Sequence, residues 1–333
     1  MDETVRYVPG EEARSLVTIP ACISAARRGY REHGEGAVTE PTTKLYDGTP
    51  DPFFMFYGVI FPKTAGLYLH AHGFGGAEWV ALSYVMDAET GDPLAIVDSA
   101  LLNPYKTAAA GGVAVDALAR EDAERVGIVG SGTQARAQLL ATAAVRDIAD
   151  VAVYSPTDAN RRRFASEMDR FVDADVRAVP SSADAVSDRD IVITATRSST
   201  PVFDGNLLAP GTHVTAMGQA TPTKRELDAS AVARAVYVAD IRERVENLSG
   251  SYLAALDEGA IADGHLHAEL GEILTGERSG RTGDEEITIF DSGGTAIETI
   301  AAARLVYERA REEGVGTPLP MGRGSPDADI FDR

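Results

Sequence analysis

Short apolar runs alternate with longer stretches of mixed polarity along the middle of the chain. The runs are rich in β-branched residues, which is typical of buried strands. They fall at residues 125–129, 151–154, 176–179, 191–195, 213–218, 236–240 and 287–291. Between them, helices are predicted at 133–145, 158–171 and 183–186, and the whole of 241–276 is predicted as helices. Strands that alternate with helices predict an α/β fold with a parallel, doubly wound sheet.

The first 120 residues follow a different pattern. An amphipathic helix is predicted at 19–33, where apolar residues recur at helical spacing. Short strand-like runs, broken by proline and glycine, are predicted at 38–46, 53–61, 66–72, 79–86 and 93–98. This part of the chain is therefore expected to be rich in β structure and to precede the parallel sheet.

Two further helices are expected at the borders of the parallel sheet. Asn103 and Pro104 predict a helix that runs to about residue 120, with Asn103 as its N-cap and Pro104 at its first position. A long helix is predicted at 294–313, with apolar residues on one face. We expect this last helix to leave the parallel sheet and return to the β-rich part.

The segment Gly130-Ser131-Gly132-Thr133-Gln134-Ala135 fits the G-x-G-x-x-G/A turn. It follows a predicted strand and opens a predicted helix, which is the context that the motif requires. Gly132 has no Cβ, so the backbone can touch a pyrophosphate, and the free N–H groups of the helix face the phosphates. An ordinary glycine turn is the alternative. The context favours a Rossmann domain that binds a dinucleotide.

Composition narrows the class of protein. The 333 residues carry a net charge of −20, which argues against nucleic acid or an anionic membrane as a partner. No apolar run approaches the length of a membrane span, and no secretory signal is recognised, so a cytoplasmic location is expected. Lysine is scarce and acidic residues are dispersed, which favours a protein adapted to high salt.

Several stretches together resemble the ornithine cyclodeaminase/μ-crystallin family, which includes archaeal-type alanine dehydrogenases and ketimine reductases. They are DAETGDPLAIVDS at 87–99, KTAAAGGVA at 106–114, GIVGSGTQARAQ at 127–138, ATRSSTPVF at 195–203, PTKRELD at 222–228, and two stretches within 269–298. They occur in the order that the family shows and cover most of the chain.

The resemblance implies a domain plan and a cofactor site. Residues 1–120 and 300–333 would form a discontinuous substrate and dimerisation domain, and 121–299 the NAD(P)-binding Rossmann domain of a homodimer. The cofactor positions that it implies are Thr107, Gly130, Gly132, Thr133, Gln134, Thr196, Met217, Gly218, Lys224, Ser292 and Gly293.

The chain departs from the family pattern at substrate-binding positions. The arginine that anchors the substrate is here Lys106, and a second arginine falls at Thr42. A family lysine falls at Tyr68, and the aspartate of cyclodeaminases falls at Ala220. Without that carboxylate the proposed acid/base of ornithine cyclisation is missing, so cyclodeamination is the least favoured activity.

Lys106, Tyr68 and His70 are the catalytic candidates. Lys106 stands in the first turn of a predicted helix, where a cation is unfavourable unless it shares an anion with the free N–H groups. The alternative is a lysine that points into solvent. His70 and His72 share one face of a predicted strand, which indicates a substrate pocket or a packing role. No other metal-ligand residue stands at ligand spacing beside them, so no metal is expected.

The end of the second parallel strand bears on the choice between NAD and NADP. An acidic residue there would bind the ribose diol, but the chain has Ser155 and Thr157 instead. Arginines follow at 161–163, and together these residues suit a 2′-phosphate. The alternative is that the arginines lie on a solvated helix face. The sequence favours NADP.

Two functions remain open from sequence. The first is an NAD(P)-dependent imine reductase or amino-acid dehydrogenase, in which Lys106 anchors the carboxylate of a small 2-imino or 2-oxo acid. The second is a protein that binds the dinucleotide with little catalysis, which the missing arginine, lysine and aspartate equivalents permit.

Overall fold

Two sheets joined by closely packed helices make up the computed structural model, which describes residues 4–39, 43–46, 52–74 and 79–321. In chain order the first elements are β1 (Thr4–Val8), α1 (Gly10–Ser15), α2 (Ile19–Gly34), β2 (Val38–Thr39), β3 (Thr43–Tyr46), β4 (Phe53–Ile60), β5 (Thr64–His72), β6 (Trp79–Asp87), β7 (Pro93–Asp98) and α3 (Asn103–Leu118).

The second group of elements runs from residue 125 to residue 320. It comprises β8 (Arg125–Val129), α4 (Thr133–Ala143), β9 (Asp150–Tyr154), α5 (Asp158–Met168), β10 (Asp175–Ala178), α6 (Ser182–Val186), β11 (Ile191–Thr194), β12 (His213–Ala216), α7 (Ala229–Arg234), β13 (Ala235–Ala239), α8 (Arg242–Leu248), α9 (Gly250–Asp257), β14 (Leu266–Glu269), α10 (Leu270–Thr275), β15 (Ile287–Asp291), α11 (Ala296–Glu313) and β16 (Thr317–Pro320).

The second sheet is parallel throughout. Its strands follow the order β10-β9-β8-β11-β12-β15-β13-β14 within the described residues. The pairings of β8 with β9 and with β11 are both parallel and in continuous register. The order reverses between β8 and β11, and ligands of such sheets bind where the reversal opens a crevice at the carboxyl ends of the strands. The predicted doubly wound α/β fold is confirmed.

The first sheet is mixed and is built from both ends of the chain. Strands β4 to β7 form antiparallel hairpins, β1 joins β7 in parallel, and β16 pairs antiparallel with β1. Helix α11 packs on one face of β4, β5 and β6 and against α2 and α3. Helix α3 in turn packs against α4, so α2, α3 and α11 connect the two sheets. No helix in the described part of the chain has the length and apolar character needed to cross a bilayer.

Two sequence-based predictions differ from the structure, and the strand β16 was not predicted. The run 38–46 is two short strands, β2 and β3, and the stretch 241–276 contains the strand β14 as well as helices. Strand β14 is only four residues long, so its alternating burial gives little signal beside flanking helices. The tail after Gly314 includes β16, whose Pro318 and Pro320 lack the N–H donor and hide a strand that lies at the sheet edge.

The start of α3 also differs from the prediction. A short 3-10 turn at Ala100–Leu102 precedes the helix, so Asn103 is its first residue and its side chain does not cap it. Lys106 is therefore the fourth helical residue. The charge of Lys106 is balanced by Glu298 of α11, which lies 3.7 Å away.

Candidate active site in the cleft between the sheets

A cleft of about 1680 Å³ lies between the two sheets. One side consists of residues that follow the carboxyl ends of β8, β9, β11, β12 and β15. The other side consists of side chains on β4, β5 and β6 and of the first turn of α3. The cleft thus has the position that the topology of a doubly wound sheet predicts for a ligand site.

The cleft brings together most of the residues that the sequence predicted. Those that line it are Tyr68, His70, Lys106, Thr107, Gly130, Gly132, Thr133, Gln134, Thr196, Met217, Gly218, Ser292 and Gly293. Lys106 and Thr107 come from α3, so the helix that carries the expected substrate anchor faces the glycine turn across the cleft.

Three predicted cofactor residues, Ser155, Thr157 and Lys224, do not line the cleft. The Ser155 hydroxyl accepts from Ser131 and donates to the carbonyl of Thr157, so it is turned inward and buried. The Lys224 ammonium donates to the carbonyl of Arg197 at 2.7 Å. Backbone carbonyl groups of the protein thus engage the side chains of Ser155 and Lys224. Thr42 lies outside the described residues.

The glycine turn is shaped by two glycines for different reasons. Gly130 has a φ of +121°, and a Cβ there would lie 2.4 Å from the carbonyl oxygen of Ala195, so the fold itself requires glycine. Gly132 has a φ of −82°, and a Cβ there would meet no atom within 4 Å. The protein alone gives no reason for a glycine at 132. A ligand that fills this open space would account for the glycine.

The first turn of α4 is prepared for an anion. Gly132 is its N-cap and supplies no capping side chain, so N–H groups of the first turn remain for a ligand. Arg136 donates to the carbonyls of Ser131 and Gly132, which holds the turn in place. The residues present therefore fit the pyrophosphate of a dinucleotide.

A buried glutamate that the sequence analysis missed positions two of the lining residues. The Glu226 carboxylate accepts from the backbone N–H groups of Thr196 and Gly218, at 2.6 and 2.7 Å, and from the hydroxyl of Thr194 at 2.7 Å. Burial raises the pKa of Glu226, and these donors oppose that effect. Glu226 thus ties together the ends of β11 and β12, beyond which Thr196 and Gly218 line the cleft.

Lys106 is held in a buried polar group. Its side chain is 7% exposed, and its Nζ lies 3.7 Å from the carboxylate of Glu298 and 3.5 Å from the hydroxyl of Tyr57. Glu298 belongs to the capping box of α11 with Thr295 and also accepts from Tyr30. The sequence did carry one signal for Glu298, the Thr-x-x-Glu pattern at a helix start. Tyr57 carried none.

The two tyrosines beside Lys106 stay protonated over a wide pH range. Their rings stack at 4.9 Å between centroids. Burial raises the pKa of Tyr57, and the carboxylate of Glu298 adds to the effect. Burial also raises the pKa of Tyr68, with a further contribution from Tyr57, whereas Lys106 opposes the shift. Both phenols are consequently O–H donors at neutral pH rather than bases.

His70 is neutral at physiological pH. Burial lowers its pKa, repulsion by His72, Lys106 and Lys44 adds to the effect, and together they bring the pKa to about 4. Its Nε2 is buried without a hydrogen-bond partner. Within the described residues no group of three or more His, Cys, Asp or Glu side chains is placed to hold a metal ion.

The loop after β15 rests on buried charges. Arg244 pairs with Asp240 at 2.6 Å and with Asp291 at 2.9 Å, and Asp240 also accepts from the backbone N–H of Gly293. Burial raises the pKa of Asp240 to about 6, although Arg244 opposes the shift. These contacts fix Ser292 and Gly293 in the wall of the cleft, and the sequence analysis did not find them.

Comparison with known proteins matches nearly the whole chain. A sequence model of the ornithine cyclodeaminase/mu-crystallin family matches residues 71–314. The alanine dehydrogenase of Archaeoglobus fulgidus is 33% identical over 331 residues, which cover 94% of this chain and 97% of that protein.

Two solved structures are similar in fold and in sequence. The Δ(1)-pyrroline-2-carboxylate reductase of Thermococcus litoralis, in complex with NADH and L-proline, superposes with a TM-score of 0.88 at 33% identity, over 95% of this chain and 100% of that chain. An archaeal alanine dehydrogenase dimer with bound NAD gives a TM-score of 0.88 at 32% identity, over 95% and 99% of the two chains. The prediction of an oxidoreductase that uses a nicotinamide cofactor agrees with these relatives.

The two glycines of the turn should respond differently to alanine. In Gly132→Ala the new methyl enters open space, so we expect the melting temperature without ligand to stay within about 2 °C of wild type. We expect the Kd for NADH or NADPH to rise by about tenfold or more, because the methyl occupies ligand space. Calorimetry and fluorescence titration measure the two quantities.

Gly130→Ala is the matched control, because its Cβ collides with the backbone at Ala195. It should lower the melting temperature by several degrees. A Gly132→Ala protein that melts early, or that binds the dinucleotide as wild type does, would contradict this assignment of the cleft.

Proposed function

Because the chain belongs to the ornithine cyclodeaminase/mu-crystallin family, as its sequence motifs predicted, we propose that it is an NAD(P)-dependent oxidoreductase acting on a small 2-imino or 2-oxo acid. The observation that supports this most is the meeting of Lys106, on α3, with the glycine turn of α4 in one cleft. A carboxylate anchor and a dinucleotide cradle face each other there. The reaction interconverts a C=N bond and a C–N bond at Cα of the substrate, with the nicotinamide as the redox partner.

Lys106 binds the substrate carboxylate in this proposal. Its ammonium has three N–H donors, and the described residues give it one hydrogen-bond partner, Tyr57, at the long distance of 3.5 Å. Glu298 lies at 3.7 Å, which keeps the lysine charged without engaging all of its donors. A carboxylate entering the cleft completes the set, and the buried setting strengthens that contact.

Tyr57 and Tyr68 orient the reacting group in this proposal. When bound, the nicotinamide supplies the hydride that Cα of a protonated imine accepts, and the product is the amine with one added hydrogen at Cα. The proton is thus on the substrate nitrogen before the transfer, and for a 2-oxo acid the imine forms first with ammonia or an amine and loss of water. Tyr68 holds the substrate by hydrogen bonding as an O–H donor, and His70, being neutral, is not a proton donor at pH 7.

Cyclodeamination is disfavoured by position 220. The family resemblance implies that the acid/base aspartate of cyclodeaminases falls at Ala220, whose methyl group cannot carry a proton. A dinucleotide-binding protein with little catalysis remains the second candidate, and a substrate panel separates it from the first.

The panel tests the function together with Lys106. We expect oxidation of reduced cofactor with at least one member of a set of 2-oxo acids plus ammonia or methylamine, or of cyclic 2-imino acids. Lys106→Ala should raise KM for the active substrate by about tenfold to a hundredfold, the loss expected for a charge-assisted hydrogen bond. Lys106→Arg should recover part of it, since a guanidinium also binds carboxylates.

Two results would contradict these expectations. Tight binding of the dinucleotide with no turnover across the panel favours the binding protein. An unchanged KM in Lys106→Ala removes the lysine as the anchor.

We propose further that the cofactor is NADP(H) rather than NAD(H). Arg163 and Asn160 line the end of the cleft beside β9, and no carboxylate of the described residues lines it to bind a ribose diol. Arg161 is engaged with Asp158 and with the carbonyl of Ser155, and Arg162 pairs with Asp158 outside the lining. Arg163 lines the cleft, and its pairing with Glu167 is long, at 3.8 Å, so it is the arginine of this helix that we assign to a 2′-phosphate.

Arg163→Ala should weaken NADPH by about tenfold and leave NADH within about twofold, because only NADPH carries the extra phosphate. Arg162→Ala is the control, since Arg162 is equally close in sequence and 74% exposed. Titration of all three proteins with both reduced cofactors gives the comparison. A wild-type protein that binds NADH more tightly than NADPH would overturn the proposal.

A homodimer formed through the first sheet is also proposed. The face of this sheet opposite α11 is apolar and exposed, with Phe54, Leu67 and Val80 at 40, 45 and 47% exposure. Leu45 and Ile60 extend this outer face. Apolar patches of this kind mark protein interfaces, and the similar archaeal alanine dehydrogenase is a dimer.

Leu67→Glu should convert a dimer into a monomer, because it places a charge in the middle of the outer face. Phe171→Glu is the control and should leave the mass unchanged, since Phe171 is 69% exposed and follows α5, outside the first sheet. Light scattering after size exclusion measures both. A wild-type monomer, or a Leu67→Glu dimer, would contradict the proposed interface.

A further inference from the structure

The side of the cleft formed by β4, β5 and β6 is aromatic. His70, His72 and Trp79 line it, and Phe53 packs against the rings of His70 and His72 from the neighbouring strand; we call these four residues the aromatic wall. Sheet register places Phe53, His72 and Trp79 side by side on three neighbouring strands, and His70 one pair further in, beside Met55. Side chains two residues apart on a strand point to the same face, so all of them face the cleft side.

The rings of the aromatic wall hold each other in fixed orientations. His70 meets Trp79 edge to face at 5.0 Å between centroids and meets Phe53 in the same way at 5.6 Å. His72 stacks on Phe53 at 5.5 Å. All four rings are only partly buried, so apolar ring surface remains open to the cleft. Burying it under a ligand is favourable in proportion to the area covered.

The aromatic wall begins next to the carboxylate anchor and extends away from it. Tyr57 and Tyr68, which adjoin Lys106, form the innermost pair, His70 belongs to the next, and His72 with Trp79 to the third. Each step of two residues along a strand is roughly 7 Å, so the wall lies about 7 to 13 Å beyond the anchor. A substrate with only a methyl group at Cα does not reach it.

The electrostatics of the aromatic wall disfavour a cationic side chain. Two ammonium groups already lie beside the aromatic wall: that of Lys44 is 4.0 Å from the centre of the Phe53 ring, and that of Lys106 is 5.8 Å from the centre of the Tyr68 ring. Both contribute to the lowered pKa of His70, so a further positive charge is unfavourable here. The ammonium group of a diamino acid would meet the same penalty. An uncharged ring does not meet this penalty. An aromatic pair also contributes binding free energy beyond that of the area that it buries.

We propose that the substrate carries a planar aromatic side chain, which packs on the aromatic wall while its carboxylate binds Lys106. The inference rests on the proposed function for the carboxylate anchor and adds the class of the side chain.

Trp79 makes the proposal directly testable, because it is the only tryptophan of the chain. The dinucleotide-bound protein is titrated with L-phenylalanine, L-alanine, L-ornithine and L-glutamate while tryptophan emission is followed. We expect L-phenylalanine to change the emission and to bind about tenfold or more tightly than the other three. Equal or tighter binding of alanine, ornithine or glutamate overturns the proposal.

Turnover separates the failure of this proposal from failure of the proposed function. With ammonia present, phenylpyruvate is compared with pyruvate, and the expected result is a higher kcat/KM for phenylpyruvate. Turnover of pyruvate with no binding of L-phenylalanine overturns the aromatic side chain and leaves the oxidoreductase. Binding of L-phenylalanine at Trp79 without turnover of any substrate supports the aromatic wall and removes the oxidoreductase.

A pair of histidine variants tests the wall residue by residue. His70→Ala removes a ring that touches Trp79 and should weaken L-phenylalanine about tenfold more than it weakens L-alanine. His267→Ala is the matched control, since His267 bonds the carbonyl of Ser279 away from the cleft, and it should leave both affinities unchanged. Equal losses for the two amino acids in His70→Ala contradict a role for the wall in selecting the side chain.

Discussion

The Glu298 carboxylate joins the parts of the chain that meet at the base of the cleft. It caps α11 through Thr295, accepts from Tyr30 of α2, and lies 3.7 Å from Lys106 of α3. Full burial of a carboxylate costs several kcal/mol of desolvation free energy unless hydrogen-bond donors and an opposite charge offset it. The burial of Glu298 therefore depends on these partners. The same requirement holds Lys106 in place. The position of the anchor is therefore set by the packing of three helices rather than by the first turn of α3.

Local patterns predicted the parallel sheet and the glycine turn, because each depends on neighbouring residues. Strands such as β8 and β11 are continuous apolar runs, and the spacing of Gly130 and Gly132 is itself the signal. Glu226, Tyr57 and the Asp240–Arg244 pair were not predicted, since their roles depend on partners brought close by the fold. Ser155 was assigned to the ligand from its residue type, although its hydroxyl is used by adjoining backbone and by Ser131.

Charge is distributed unequally between the cleft and the rest of the molecule. The chain carries −20 overall, yet the described residues that line the cleft include Lys106, Arg163 and Arg197 and no aspartate or glutamate. Among the described residues, Glu226, Glu298 and Asp240 lie behind the lining, where they are buried and held by backbone and side-chain donors. An anionic ligand is therefore attracted by the cations of the cleft but repelled by the acidic surface around it. Dissolved salt screens the long-range repulsion more than it screens the contacts in the cleft.

The short strand β16 limits how copies of this protein can associate. Successive residues of a strand direct their N–H groups to opposite sides, and prolines cannot donate to β1, so Pro318 and Pro320 face the open edge of the first sheet. That edge consequently offers no donors at these positions to a strand of another molecule. Growth of the sheet by strand addition, a common route to fibrous aggregates, is obstructed at this edge. The homodimer proposed above would use the broad outer face of the sheet instead, and an interface between two such faces is closed once two copies have met.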